Sequence, residues 1–153
     1  MSNLIEGAEA PDFELAGADG VIRLADFEGK TLVLYFYPKD DTAGCTKEAQ
    51  EFSALAAEFA TAGASIVGVS KDSLRSHAKF TAKYDLAVPL AADLEGQVIE
   101  RYGSWVEKNM YGRAYMGIER STFLIRDGRL RRIWRKVKAP GHAAEVLKAA
   151  QSL

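Results

Sequence analysis

A run of β-branched, aromatic and aliphatic residues spans positions 31–37 and contains no charged side chain. Such a run is typical of a strand buried on both faces, as in a parallel or mixed central sheet. From about Cys45 to Ala60 the apolar spacing becomes helical, and Gly63 is expected to cap that helix. Residues 64–70 return to a strand pattern. This part of the chain therefore predicts a βαβ unit with a right-handed crossover.

Two hairpins are expected to flank that unit. Residues 10–15 alternate polar and apolar side chains and meet a second short run, 21–24, across a glycine-containing turn. Farther along, 121–126 and 130–137 flank the strong turn signal Asp127–Gly128. Three further helices are predicted, namely 73–84, one whose shared face carries Leu94, Val98 and Tyr102, and about 141–150. The order of elements predicts the α/β class: a thioredoxin-like sandwich with a central mixed sheet flanked by helices and an N-terminal β-hairpin.

Composition narrows the class of protein. The chain has 153 residues, 48% hydrophobic and 27% charged, which predicts one globular domain over 1–153. A net charge of -1 gives no general attraction to nucleic acid or an anionic membrane. No stretch approaches the ~20 apolar residues of a membrane span, and the N-terminus carries no pattern of a secretory signal. The single cysteine excludes an internal disulfide and a zinc cluster, so a reducing, cytoplasmic location is expected.

Candidate chemistry is concentrated between the buried strand and the following helix. Cys45 falls in the first helical turn, where unpaired backbone N–H groups and the helix dipole favour the reactive thiolate. The alternative is a small buried hydrophobic residue, the usual role of a lone cysteine. Thr42, three residues earlier, can cap the helix or donate a hydrogen bond to a thiolate and a bound peroxide oxygen. It also stands where Cys-x-x-Cys would need a second cysteine, so dithiol exchange of the thioredoxin kind is excluded.

Pro38, Thr42 and Cys45 match the active-site pattern of the peroxiredoxins: proline, three residues, threonine, two residues, cysteine. The likeness extends along nearly the whole chain in the expected order. It resembles the bacterioferritin comigratory protein, or Q-type, branch of that family in the segments 35–49, 68–73, 111–113, 120–125, 137–138 and 141–142.

The resemblance implies a thiol peroxidase that needs no metal, haem or flavin. Cys45 would be the peroxidatic cysteine, Thr42 would hold the thiolate and the peroxide in line, and Pro38 would shield the thiolate from water. Arg120 would stabilise the thiolate and the leaving oxygen, and Glu48 would orient that arginine. Without the resemblance, Pro38 ends a strand, Arg120 is a solvated surface group, and Glu48 is a favourable acidic residue in a helix's first turn.

One position departs from the family. Gln50 stands where many Q-type members carry a resolving cysteine, so the sulfenic acid formed at Cys45 must be reduced from outside the chain. Thioredoxin, glutaredoxin with glutathione, or another small thiol would serve, and two chains could also join through Cys45. The resemblance implies a monomer or a homodimer. Over-oxidation is expected whenever reductant runs short.

Other signals favour structural roles. The basic stretch 126–138 falls on a predicted hairpin with apolar residues between its charges, and the chain as a whole is not basic, so nucleic-acid binding is not expected. His77 and His142 lack metal-ligand spacing, and a papain-like pairing with Cys45 has no local signature. Trp105, Tyr111 and Tyr115 occupy a loop-like segment and are expected to pack in the core or at its rim. A redox sensor and a scaffold with a structural cysteine are the alternatives to a peroxidase.

Overall fold

The apolar run at 31–37 forms an interior strand of the sheet in a computed structural model that describes residues 4–153. Strand β3, Thr31–Phe36, buries all six of its side chains. It pairs in parallel with β4, Ala64–Ser70, and antiparallel with β8, Ser121–Arg126. Its alternate side chains belong to two separate clusters of buried residues, one on each face of the sheet, which is why this strand is apolar at every position. Residues 1–3, part of the segment where no secretory signal is expected, lie outside the described residues.

Seven strands form one mixed sheet in the part of the chain that is described, in the order β2-β1-β5-β4-β3-β8-β9. The pairing β4–β5 is parallel, whereas β1–β2, β1–β5 and β8–β9 are antiparallel. The two predicted hairpins are present, although the first begins four residues later than expected. The remaining strands of this sheet are β1 (Glu14–Gly17), β2 (Gly20–Arg23), β5 (Leu90–Ala92) and β9 (Arg129–Trp134).

The helices pack on the sheet largely where the periodicity places them, but the predicted helix 45–60 is two helices. The chain bends at Leu55, whose φ and ψ are -101° and 4°. The bend lets Phe52 and Phe59 both become fully buried while the second helix packs against β4. The helices are α1 (Ala43–Ala54), α2 (Ala56–Thr61), α3 (Leu74–Tyr84), α4 (Gln97–Arg101) and α5 (His142–Gln151), with a 3-10 turn at Leu24–Phe27.

Two local predictions are wrong. The segment expected to be loop-like is a hairpin of β6, Trp105–Met110, and β7, Arg113–Ile118. Most of its side chains are exposed or half-buried on both faces, so it lacks the alternation that identifies a strand. Positive φ angles at Tyr111 and Gly112 close its two-residue turn. Leu94 was assigned to a buried helical face, but α4 begins only at Gln97 and Leu94 is 62% exposed.

Tyr35 illustrates how closely the layers pack. Its ring stacks on Phe52 with centroids 4.7 Å apart and lies over Gly68 of the neighbouring strand. A methyl group at Gly68 would come within 2.6 Å of Cζ of Tyr35, so the aromatic ring occupies the space that a side chain at 68 would need. Close packing of this kind fixes the position of β3, whose end leads into the candidate site.

Candidate active site

The loop after β3 leads directly into helix α1 and carries the cysteine. Thr42 is the N-cap residue with extended backbone angles, and the N–H of Thr46 donates to its carbonyl at 2.8 Å. Cys45 is therefore the third residue of the helix, in the turn whose N–H groups lack helical partners. Its side chain is buried, with the residue 2% exposed.

Arg120, the residue before β8, contacts the cysteine. Strand β8 pairs with β3 so that Ser121 lies opposite Phe36, which brings the preceding residue, Arg120, beside the loop that follows β3. The guanidinium Nη2 donates to Sγ of Cys45 at 3.3 Å. A methyl group at Gly44 would lie 3.0 Å from that same nitrogen, so a glycine in the first turn of α1 allows the close approach.

Glu48 completes the contact group one helical turn after Cys45. Its Oε1 accepts a hydrogen bond from Nη1 of Arg120 at 2.8 Å, and its side chain is 0% exposed. One arginine thus bridges the cysteine and the carboxylate with its two terminal nitrogens. The structure brings together Cys45, Arg120 and Glu48, although 75 residues separate the cysteine from the arginine.

The pKa values of the charged side chains in and around this group are shifted by burial and by one another. Burial raises the pKa of Glu48 to about 7, against the opposing effect of Arg120. The pKa of Arg120 is raised despite its burial, because Glu48 and Cys45 both favour the charged guanidinium. Lys108 of β6 also interacts with Cys45, and burial followed by repulsion from Arg120 lowers its pKa. Positive charge therefore surrounds the sulfur on the side of β6 and β8.

Thr42 and Pro38 lie on the loop rather than in the contact group. The hydroxyl of Thr42 donates to the carbonyl of Lys39 at 2.9 Å, so its proton is not directed to Cys45, and its oxygen accepts no capping hydrogen bond from the helix N–H groups. The oxygen lone pairs of Thr42 remain able to accept, and its side chain is exposed to an arriving substrate. Pro38 is half-buried and follows Tyr37, the last residue to bond to β4, so it ends the pairing of β3.

The two histidines lie apart from the sulfur. His142 is buried and its Nε2 lies 2.7 Å from Oγ1 of Thr122, and burial lowers its pKa to about 4. His77 faces Asp40, and Cys45 accepts from Arg120, so the Cys–His arrangement of a papain-like hydrolase is not formed. In residues 4–153, no group of three or more potential ligands is placed to hold a metal ion.

The sequence reading missed a polar network beneath the loop. Asp40 is buried and hydrogen-bonded to Tyr37, Ser76 and His77. The sequence did carry a signal of this network. An aspartate shortly after a fully apolar strand and a histidine on an amphipathic helix each need a partner when buried. Nothing in the spacing, however, pairs residues that are 37 positions apart.

A search for membrane-spanning helices gave a negative result for the described part of the chain. None of the helices between residues 4 and 153 is long and apolar enough to cross a bilayer.

Comparison with known proteins agrees with the geometry of the site. The family model described as the AhpC/TSA family matches residues 7–133. Peroxiredoxin Bcp of Bacillus subtilis is 48% identical over 149 residues, which cover 96% of this chain and 95% of that protein.

Solved structures give the same assignment. The bacterioferritin comigratory protein of Xanthomonas campestris, studied for alkyl peroxide reduction, superposes with a TM-score of 0.87 at 46% identity, covering 92% of this chain and 90% of that one. A cysteine-to-serine mutant of Xylella fastidiosa PrxQ superposes with a TM-score of 0.93 at 38% identity, covering 99% and 98%. These matches confirm the thioredoxin-like fold with its central mixed sheet. The chain therefore belongs to the AhpC/TSA family and is a peroxiredoxin of the Bcp or Q type.

Proposed function

We propose that Cys45 is the peroxidatic residue of this peroxiredoxin and that an external thiol completes its cycle. The observation that carries the proposal is the hydrogen bond from Arg120 to Sγ of Cys45, at 3.3 Å, inside a buried first helical turn. A fixed guanidinium beside a sulfur favours the thiolate, which is the nucleophile.

The first step is a displacement at the distal oxygen of the hydroperoxide. The thiolate of Cys45 forms an S–O bond while the O–O bond breaks, which yields a sulfenic acid and an alkoxide or hydroxide that takes up a proton. Arg120 stabilises the negative charge as it moves from sulfur to the leaving oxygen. Thr42 aligns the peroxide by accepting its O–H, since the proton of the Thr42 hydroxyl is committed to Lys39.

The substrates are hydrogen peroxide and organic hydroperoxides. Alkyl peroxide reduction is the activity studied in the Xanthomonas campestris relative, and the two classes share the O–O bond that the thiolate breaks. An R group would extend from the exposed side of Thr42, away from buried Cys45.

Reduction of the sulfenic acid requires a partner. Cys45 is the single cysteine of the sequence, and Gln50 occupies an exposed position on α1. A first external thiol forms a mixed disulfide with Cys45 and releases water. A second thiol then attacks the external sulfur of that disulfide, which releases the Cys45 thiolate and joins the two external thiols in a disulfide. Thioredoxin, glutaredoxin with glutathione, or a small thiol are the candidate reductants.

The proposed cycle is compatible with a cytoplasmic location and with either of two states of assembly. The need for thiol reductant fits the cytoplasm. All side chains invoked in the cycle belong to one chain and 1–153 acts as one domain, so the proposal applies to a monomer or a homodimer.

The test is rapid mixing of reduced protein with one equivalent of hydrogen peroxide, followed by dimedone trapping and intact-mass analysis. Quantitative trapping is expected in the wild type, none in Cys45→Ser and much less in Arg120→Met. Lys148→Met, an exposed change on α5, serves as the matched control. A thiol that stays unmodified in the wild type overturns the peroxidatic role, and oxidation without repeated turnover by any of the three thiol systems overturns the external-thiol cycle.

A further inference from the structure

Asp40 lies at the centre of a buried hydrogen-bond network under the loop that carries Pro38 and Thr42. Its Oδ1 accepts from the hydroxyl of Tyr37 at 2.6 Å. Its Oδ2 accepts from Oγ of Ser76 at 2.7 Å and lies 2.7 Å from Nδ1 of His77. The side chains of Asp40 and His77 are almost completely buried, each 4% exposed.

His77 is held at both of its ring nitrogens. Nε2 lies 2.9 Å from the carbonyl oxygen of Ala91, and Nδ1 lies 2.7 Å from Oδ2 of Asp40. Burial alone would raise the pKa of Asp40, but hydrogen bonds with His77, Tyr37 and Ser76 lower it. Asp40 is therefore a buried carboxylate that its three partners hold in place.

This pair connects the loop to two neighbouring elements. His77 belongs to α3 and reaches the carbonyl of Ala91 in β5. The backbone N–H of Asp40 also donates to Oδ2 of Asp72, at 2.8 Å, just before α3. Asp41, the next residue, has a φ of 60°, and its carboxylate accepts hydrogen bonds from Lys83 and Tyr84 of α3. These contacts, made on the inner side of the loop, hold it in one conformation.

The two halves of the proposed cycle place opposite demands on that loop. The peroxide step needs Thr42 and the first turn of α1 fixed beside Arg120. The thiol step needs access to a sulfur that is buried while the loop and the first turn of α1 hold this conformation, since Cys45 is only 2% exposed. Any group that stabilises the closed loop accelerates the first step and slows the second.

We propose that Asp40 and His77 are positioning residues whose buried hydrogen bond locks the loop in the peroxide-reactive conformation and limits the access of an external thiol to Cys45. This inference rests on the proposed function and names what regulates the same site. A second loop contact, from Lys83 to Asp41 at 2.8 Å, is exposed, so it contributes little and serves as the comparison.

Asp40→Asn is the primary test, because the introduced amide has the shape of the carboxylate and can keep hydrogen bonds to Tyr37, Ser76 and Nδ1 of His77 while the negative charge is removed. Since charge-assisted hydrogen bonds are roughly twice as strong as neutral ones, the closed loop should lose part of its advantage. We expect the rate constant of Cys45 oxidation by hydrogen peroxide to fall about tenfold. Over the same change, labelling by a maleimide with a long polyethylene glycol chain, relative to N-ethylmaleimide, should rise about tenfold.

His77→Gln is the second variant, and the double variant should be no worse than either single one, as expected for coupled partners. Lys83→Met controls for loss of an exposed loop contact, and Val146→Ala, at a fully buried position of α5, controls for general loss of stability. Unchanged rates in both single variants, or changes no larger than those of Val146→Ala, overturn the lock. Failure of wild-type Cys45 to react with peroxide sinks the proposed function instead, and the labelling ratio still tests the lock in that case.

Discussion

Replacement of Arg120 by methionine separates the role of its charge in stability from its role in chemistry. The change keeps an apolar stem and removes the guanidinium that bonds to Glu48 and Cys45. Glu48 then has no cation beside it, its side chain is 0% exposed, and its Oε2 already has no hydrogen-bond partner among the described residues. Breaking a buried pair from one side costs about 3–5 kcal/mol when the remaining charge stays ionised, but Glu48 can take up a proton, so the loss in the free energy of unfolding is limited to the cost of that protonation.

The size of this loss should depend on pH in a defined direction. The folded-state pKa of Glu48 is raised from 4.5 to about 7, so its protonated form is favoured in the folded protein. Stability from such a group is complete below about pH 4.5 and is lost as pH rises through the folded value. Without Arg120 the folded pKa of Glu48 rises further. The variant should therefore approach wild-type stability near pH 5 and fall about 1.4 kcal/mol below it near pH 8, where the wild-type Glu48, with its folded pKa of about 7, is ionised and the variant's is still protonated.

Urea unfolding of the wild type and Arg120→Met across that pH range measures the effect. The double variant Glu48→Gln/Arg120→Met removes the buried charge as well, so it should regain most of the stability at pH 8 while Cys45 oxidation stays slow. A stability loss independent of pH, or a double variant no more stable than Arg120→Met, would refute the assignment of the cost to an unpaired Glu48.

Three shorter predictions concern other parts of the site. Thr42→Val should slow Cys45 oxidation about tenfold or more by removing the acceptor for the peroxide, whereas Thr42→Ser keeps most of the rate; stopped-flow oxidation distinguishes them, and equal rates in both variants would contradict the role of the hydroxyl. Gln50→Cys should yield an intramolecular disulfide with Cys45 after peroxide treatment, accompanied by loss of helical circular dichroism, since α1 must unwind to bring the two sulfurs together; a disulfide with full helix content would refute this. Because burial depresses the pKa of His142 from 6.5 to about 4, its contribution to stability should be lost as pH falls between those values; His142→Gln should flatten that part of the stability curve, and an unchanged slope would argue against a buried neutral imidazole.

Much of the fold follows from local pattern, and the failures have physical causes. The strand at 31–37 was predictable because burial on both faces leaves a sequence with no polar interruption. The hairpin of β6 and β7 was not, because its side chains are exposed on both faces and no alternation marks it. The break at Leu55 depends on how two phenylalanines fit against the sheet, which is a property of packing that helical spacing does not encode.

The candidate site divides in the same way. The position of Cys45 in a first helical turn followed from a buried strand, a proline and a helical pattern that adjoin one another in sequence. The contact with Arg120 depends on the β3–β8 register, which local residues do not specify, so only the family resemblance pointed to it. The resemblance, in turn, gave no hint that His77 pairs with Asp40, because a lone histidine on a helix is compatible with many neighbours.

The close fit of Tyr35 over Gly68 has a consequence for how this chain can vary. A methyl group at position 68 would overlap the ring of Tyr35, and it would also lie 3.0 Å from Cδ2 of Leu90. Gly68→Ala alone should therefore lower the free energy of unfolding, while the same change together with a smaller residue at 35 should be tolerated. The two positions should therefore covary: where distant relatives differ at one of them, they should also differ at the other.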